Sequence, residues 1–67
     1  STGNFEYISL QDAAEYSERY SQEYLSLRAR QGKLKAIKIG RNWVTTRVWV
    51  DDYKRQAYAV KLIRDIV

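Results

Sequence analysis

Three polar side chains at four-residue intervals, Gln22, Ser26 and Arg30, have the types and spacing to contact nucleic acid. Residues at i, i+4 and i+8 of a helix share one face. Gln can pair bidentately with adenine and Arg with guanine, and the neighbouring Glu23 can accept a hydrogen bond from cytosine N4. The sequence therefore predicts a base-reading face of Gln22, Glu23, Ser26 and Arg30. Gln22 and Glu23 also suit an ordinary solvated helix start.

The segment from Arg28 to Arg47, here called the basic segment, carries the positive charge of the chain. It contains seven Lys or Arg and no acid, giving +7, whereas the flanks hold five basic and eight acidic residues, giving −3 and a net charge of +4. Clustered positive charge is typical of phosphate binding, although any one lysine alone also suits plain solvated surface. We expect phosphate contacts from this segment at Arg28, Lys33, Lys35, Lys38, Arg41, Asn42 and Arg47.

Two short helices are predicted to position the base-reading face. Ser9 and Asp12 fit a capping pattern at the start of the first helix, which turns Leu10 and Ala13 inward. Ser21 is the expected N-cap of a second helix over residues 22–31, whose inward face contains Leu25 and Ala29; Gly32 is its expected left-handed stop.

A hairpin and a third helix follow. Residues 33–39 and 43–46 read as strands joined by a turn at Gly40-Arg41-Asn42, whose tip can reach a minor groove. A third helix is expected from about Thr46, because Val50, Tyr53, Ala57 and Val60 recur at three- and four-residue steps. The predicted class is α+β, mainly α, in the order helix, turn, helix, two-stranded hairpin, helix.

The end of the chain is more apolar than one helix of a small domain can hide. We expect residues 57–67 to be a self-association helix, or a helix that continues into a missing C-terminal region. The alternative is that this helix folds back over the core. The candidate contact residues are apolar: Trp49, Leu62, Ile63, Ile66 and Val67.

Length and composition limit the number of domains, the possible activities and the cellular location. Sixty-seven residues without Cys, His or Pro make one small domain, expected over residues 5–67, with residues 1–4 disordered or left from a tag. Without His or Cys, the commonest general base and soft nucleophile are missing, so we expect no enzyme activity, no cofactor and no metal site.

No apolar run approaches the ~20 residues that span a bilayer. The lack of Cys fits a cytoplasmic protein, which would be nucleoid-associated if it is bacterial or from a phage.

Two stretches resemble a known family. YISLQDAA at 7–14 is similar to the opening helix, and GKLKAIKIGRNW at 32–43 to the wing, of the excisionase and MerR-type winged helix-turn-helix DNA-binding domains. The resemblance implies a second helix in the major groove and the hairpin, or wing, on the DNA backbone or minor groove. Val48 and Trp49 depart from the family pattern and suggest extra packing or a partner.

The expected function is sequence-specific binding of double-stranded DNA, as a small transcriptional regulator or an excisionase-like recombination accessory, with a homodimer or a missing C-terminal region as the further partner. The alternative is a protein-interaction or oligomerisation module that reuses the same fold. Trp43 and the tyrosines at 16, 20, 24, 53 and 58 are expected to belong to the core and its rim rather than to stack on bases.

Overall fold

Three helices and a three-stranded antiparallel sheet make up the part of the chain that the structure describes. The computed structural model describes residues 6–66 and the side chains of residues 6–64, so that residues 1–5, Val67 and the side chains of Asp65 and Ile66 lie outside what it describes. The elements are β1 (Ile8–Ser9), α1 (Leu10–Ser17), α2 (Gln22–Arg30), β2 (Ile37–Ile39), β3 (Asn42–Thr45) and α3 (Arg47–Ile66). Within residues 6–66 no helix is both long and apolar enough to cross a membrane.

The sheet has one strand more than the two-stranded hairpin that the sequence predicts. Its order is β1-β3-β2, with Ile8 opposite Thr45 and Ile37 opposite Val44. The prediction of two strands was incomplete because a two-residue strand has no periodicity of its own. Pairing with β3 defines it, and this pairing fixes the start of α1 against the hairpin.

The core lies between the helices and the inner face of the sheet. Its buried apolar residues include Leu10 and Ala13 of α1 and Leu25 of α2, as the helical spacing predicts. Ile8 of β1, Val50 of α3 and Leu34, from the segment before β2, complete it. The small side chain of Ala13, which is fully buried, lets α1 and α2 cross closely.

Each predicted helix cap is present. Ser9 Oγ accepts a hydrogen bond from the Asp12 N–H at 3.0 Å, and Ser21 Oγ accepts one from the Tyr24 N–H at 3.1 Å. Thr46 caps α3, because its Oγ1 accepts the Trp49 N–H at 3.1 Å. These side chains satisfy backbone donors that have no partner within the helix.

The turn between α1 and α2 is built without glycine. Glu18 adopts the left-handed conformation at φ 56° and ends α1. The buried Ser17 hydroxyl donates to the Ala14 carbonyl at 2.9 Å and accepts the backbone N–H groups of Arg19 and Tyr20. One serine side chain therefore holds the loop that sets the crossing of the two helices.

The strand predicted over residues 33–39 is shortened to Ile37–Ile39. Its first residues are taken up in ending α2: the Lys33 N–H bonds to the Arg28 carbonyl at 2.9 Å and the Gly32 N–H to the Ala29 carbonyl at 3.1 Å. This is the Schellman pattern, with Gly32 at φ +76° in the left-handed position. Since Leu34 is then buried in the core, the chain turns before it can pair.

Candidate nucleic-acid interface

The outward face of α2 brings together the four predicted base-reading residues. Gln22, Glu23, Ser26 and Arg30 line one open depression of about 290 Å³. The opposite side of the helix is fixed, because Leu25 has no exposed surface. Packing of Leu25 therefore sets the direction in which this face points.

A second, larger groove separates α2 from the hairpin. It has a volume of about 510 Å³, and its lining residues include Gln22 and Ser26 from α2 and Arg41 and Asn42 from the hairpin. Gln11, in the first turn of α1, also lines it. Sequence reasoning missed Gln11, because a polar residue there has no signal beyond a solvated helix start.

The tip of the hairpin is tighter than the sequence predicts. Asn42 lies opposite Ile39 as the first residue of β3, so the turn consists of Gly40 and Arg41 and not of three residues. Gly40 has φ +63°, which the first central position of a type II′ turn requires. The predicted assignment of Asn42 to the turn was wrong; Arg41 alone carries charge at the tip.

The basic segment does not form a single surface. Arg30 lies on the outward face of α2 and Arg41 at the hairpin tip. Arg28 and Lys33, by contrast, line a pocket between α2 and α3, and Lys35 lines an adjoining depression with Lys33. The structure therefore separates phosphate-contact candidates that the sequence groups together.

The environment of Arg28 is built by tyrosines. Its Nε donates to the Tyr24 hydroxyl at 3.1 Å, and Nη1 donates to Gln31 Oε1 at 3.0 Å. The hydrogen bond to Tyr24 raises the pKa of the Arg28 guanidinium. The hydroxyls of Tyr24 and Tyr53 are 2.7 Å apart, and burial followed by this hydrogen bond raises the pKa of Tyr53 to about 12.

The remaining cationic candidates lie at separate positions. Lys35 Nζ lies 5.1 Å from the centre of the Trp49 ring, a cation–π contact. Arg47 is 3.9 Å from Glu6 and 5.8 Å from the Tyr16 ring. Lys38 is exposed. The sequence places these three in one segment, but the contacts of Lys35 and Arg47 are with α1, α3 and the residues before β1.

The aromatic residues contact one another. The Tyr20 and Tyr24 rings stack at 4.9 Å, and Tyr53 packs edge-on against Tyr20 at 5.5 Å. Trp43 is partly buried against the core. The expectation of a core and rim role is confirmed for Trp43, Tyr20, Tyr24 and Tyr53, which pack against the core. It was wrong for Tyr58, which is exposed on the second half of α3, beyond the part of the helix that packs on the core, and Tyr16 is exposed as well. The three-tyrosine cluster itself has no signal in the sequence, since its members come from a turn, α2 and α3.

The predicted association residues differ in exposure. Trp49 is half-buried, with its ring 6.0 Å from that of Tyr7. Leu62 and Ile63 are exposed, as is every side chain from residue 58 to residue 64. The expected apolar surface therefore lies on the second half of α3, and Trp49 packs within the domain.

Comparison with known proteins gives no match: no family model, no curated protein and no solved structure matches this chain. Among residues 6–66 there is no group of three acidic, His or Cys side chains that could hold a metal ion. The inference of function therefore depends on the geometry of the two polar surfaces of α2.

Proposed function

We propose that this domain binds double-stranded DNA in a sequence-specific manner, as a winged helix-turn-helix. The outward face of α2 enters the major groove, and the β2–β3 hairpin lies over the adjacent backbone or minor groove. The role is that of a small transcriptional regulator or an excisionase-like accessory of recombination.

The observation that carries the proposal is that Gln22 and Ser26 border two polar surfaces at once. On one side they adjoin Arg30, and on the other they adjoin Arg41 and Asn42. A helix of the width of α2 fits the ~12 Å major groove. Arg41 is then placed to contact phosphate or a narrow minor groove beside it.

The proposed role of each residue in DNA binding follows from its side-chain chemistry. Gln22 and Arg30 have the donor and acceptor patterns that read adenine and guanine, and Glu23 can accept from cytosine. Arg41 at the tip provides charge without base information when it contacts phosphate. Gln11 joins the groove as a further polar contact at the start of α1.

Fluorescence anisotropy with random-sequence duplex DNA tests this proposal. We expect binding that weakens steeply with salt, with a log–log slope of about −0.9 for each phosphate contacted. In Arg41→Ala we expect a salt dependence that is shallower by about 1 in the log–log slope. In Arg30→Ala we expect affinity for selected sites to fall by ~1–3 kcal/mol. Lys61→Ala, which removes one exposed charge from the second half of α3, is the matched control and leaves both values unchanged.

Two results would reject DNA binding: no binding at low salt, or an affinity that does not change with salt concentration. Selection of bound sequences from a random duplex pool then tests specificity. A recovered motif supports base reading by α2, whereas a pool without a motif limits the domain to backbone binding.

A protein-interaction or oligomerisation module is the second candidate, and one observation favours it. Tyr58, Val60, Leu62 and Ile63 are all exposed on the second half of α3. Tyr58 and Leu62 share one side of the helix, and Val60 and Ile63 lie towards the other. Exposed apolar side chains concentrated in one segment are typical of contact sites. Sedimentation velocity at increasing concentration tests self-association: we expect a dimer in the wild type and a monomer in Ile63→Glu. If the wild type stays monomeric at all concentrations, the homodimer is rejected.

A further inference from the structure

A pocket between the end of α2 and the middle of α3 collects cations on the side away from the proposed DNA-reading face. We call it the α2–α3 pocket. Its volume is about 430 Å³, and its polar lining residues are Tyr24, Arg28, Lys33, Tyr53, Gln56 and Arg64. Arg64 comes from outside the basic segment, so the fold adds a cation that charge clustering in the sequence does not indicate.

The hydroxyl pair leaves one O–H donor for a ligand. Tyr24 and Tyr53 together have two hydroxyl hydrogens, and their mutual 2.7 Å bond uses one of them. Arg28 donates to Tyr24 and therefore takes up an acceptor position, not a hydrogen. Because its pKa is raised to about 12, Tyr53 stays protonated at neutral pH. The pocket thus offers a hydroxyl donor together with Arg28, Lys33 and Arg64.

The pocket lies beside the C-terminal end of α2, where the helix dipole disfavours an anion, so its cations must outweigh that dipole. The carbonyl of Arg28, near the end of α2, accepts the N–H groups of Lys33 and Leu34 at 2.9 and 3.2 Å, so it has N–H partners within the fold. No carboxylate is among the described side chains that line the pocket. Asp52, in the adjoining depression, is bonded to Arg55.

The aromatic rings of the pocket do not provide a platform for a base. Tyr20 stacks on Tyr24 at 4.9 Å, and the Arg28 guanidinium carbon lies 5.1 Å from the Tyr24 ring centre. With both partners packed on Tyr24, recognition depends on hydrogen-bond donors and charge. One hydroxyl donor and three cations that line the same pocket suit a tetrahedral oxyanion.

We propose that the α2–α3 pocket binds a phosphate group through Arg28, Lys33, Arg64 and the Tyr24–Tyr53 hydroxyl pair. This site is distinct from the α2 and hairpin surface and goes beyond the proposed function. The phosphate comes either from a free phosphate or pyrophosphate ion or from the backbone of a duplex that contacts this side of the domain.

Titration with sodium pyrophosphate, followed by ¹H–¹⁵N NMR on the whole chain, tests the site. We expect saturable shifts of the Arg28 Nε–H and Gln56 side-chain resonances that sodium chloride at equal ionic strength does not produce. Arg64→Gln weakens binding by about tenfold, the value of one charge-assisted hydrogen bond. Since Arg64 is exposed, this variant keeps the fold, which its unchanged spectrum elsewhere will verify.

Arg30→Ala and Arg41→Ala are the matched controls, and we expect both to bind pyrophosphate as the wild type does. Their normal titration separates this site from DNA binding, so failure of either proposal leaves the other testable. If Arg64→Gln lowers the salt slope of duplex binding by about 1, the phosphate belongs to DNA. If pyrophosphate binds and that slope is unchanged, the ligand is the free ion.

Two outcomes would overturn the proposal. One is a set of shifts that grow linearly and equally with pyrophosphate and chloride, together with an unchanged salt slope of duplex binding in Arg64→Gln. The other is a pyrophosphate response that is the same in Arg64→Gln and the wild type, again with an unchanged salt slope of duplex binding.

Discussion

The two sides of α2 carry cations that are two residues apart and have different surroundings. Arg30 lies in an open depression with Gln22, Glu23 and Ser26. Arg28 points the other way, since two residues rotate a helix by about 200°, and it bonds to Tyr24 and Gln31. The Arg30 side chain is open to solvent, whereas the Arg28 side chain is held by contacts within the domain.

Cations that are clustered along the sequence are not necessarily clustered on the surface of the folded domain. Seven cations in twenty consecutive residues, with no acid among them, suggest one continuous face. The structure distributes them over the outward side of α2, the β2–β3 hairpin, the α2–α3 pocket with its adjoining depression, and the start of α3. The proposed DNA surface therefore depends on fewer cations than the segment contains, with Arg30 and Arg41 as its defined members.

The largest effect is expected from removing the residue on which both sides depend. Leu25→Ala leaves a cavity under α2, because Leu25 is fully buried, and lowers the free energy of unfolding by ~2–5 kcal/mol. Chemical denaturation followed by circular dichroism measures this. Leu27→Ala is the control: Leu27 is on the same helix but exposed, so its effect is small. Equal losses in both variants would show that α2 is not anchored through Leu25.

An intermediate effect should distinguish the two arginines directly. Arg28→Gln removes the hydrogen bond to Tyr24 and the cation beside its ring, and we expect Tm to fall by about 2–5 °C. Arg30→Gln changes an exposed side chain, and we expect Tm to stay within about 2 °C of the wild type. Thermal denaturation measures both. Destabilisation of Arg30→Gln as large as that of Arg28→Gln would remove the contrast between the two sides.

The smallest effect is expected at high pH on the tyrosine side. Because the pKa of Tyr53 is about 12 in the folded protein and its ordinary value is 10.0, the folded state holds this proton more tightly. The resulting stabilisation is complete below about pH 10 and is lost as pH rises to about 12. The pKa of Tyr24 is lowered by its hydrogen bonds to Tyr53 and Arg28, which acts in the opposite direction.

Comparison with Tyr53→Phe isolates this contribution. We expect the wild type to lose its advantage in unfolding free energy over Tyr53→Phe between about pH 10 and pH 12. Tyr58→Phe, at an exposed position, is the control and shows no such change relative to the wild type. A difference between wild type and Tyr53→Phe that is constant over this range would contradict the raised pKa.

Helix positions were the most predictable part of the fold. The caps at Ser9 and Ser21 and the inward positions of Leu25 and Ala29 follow from side-chain chemistry and 3.6-residue spacing, and the structure confirms them. Strand limits were less predictable. The first residues of the expected strand 33–39 end α2 instead, because a helix stop and a strand start compete for the same backbone groups.

The candidate site likewise has a part that the sequence predicts and a part that it does not. The Gln22, Ser26 and Arg30 face could be predicted, because it lies within one helix and needs no tertiary contact to define it. Its neighbours across the groove, Gln11 and Arg41, come from elements that only packing brings near. The partners of Arg28 could not be predicted either, because Tyr53 is 29 residues from Tyr24 along the chain.

The sequence by itself determined the three helices, the caps of the first two, the inward face of α2 and the excess of positive charge, because each follows from local spacing or composition. Tertiary structure alone decided the third strand, the separation of Arg28 from Arg30 by surroundings, and the pocket that joins Lys33 to Arg64. The physical reason is that local propensity acts over one or two helical turns. Which distant side chains share a surface depends on how the helices cross and pack.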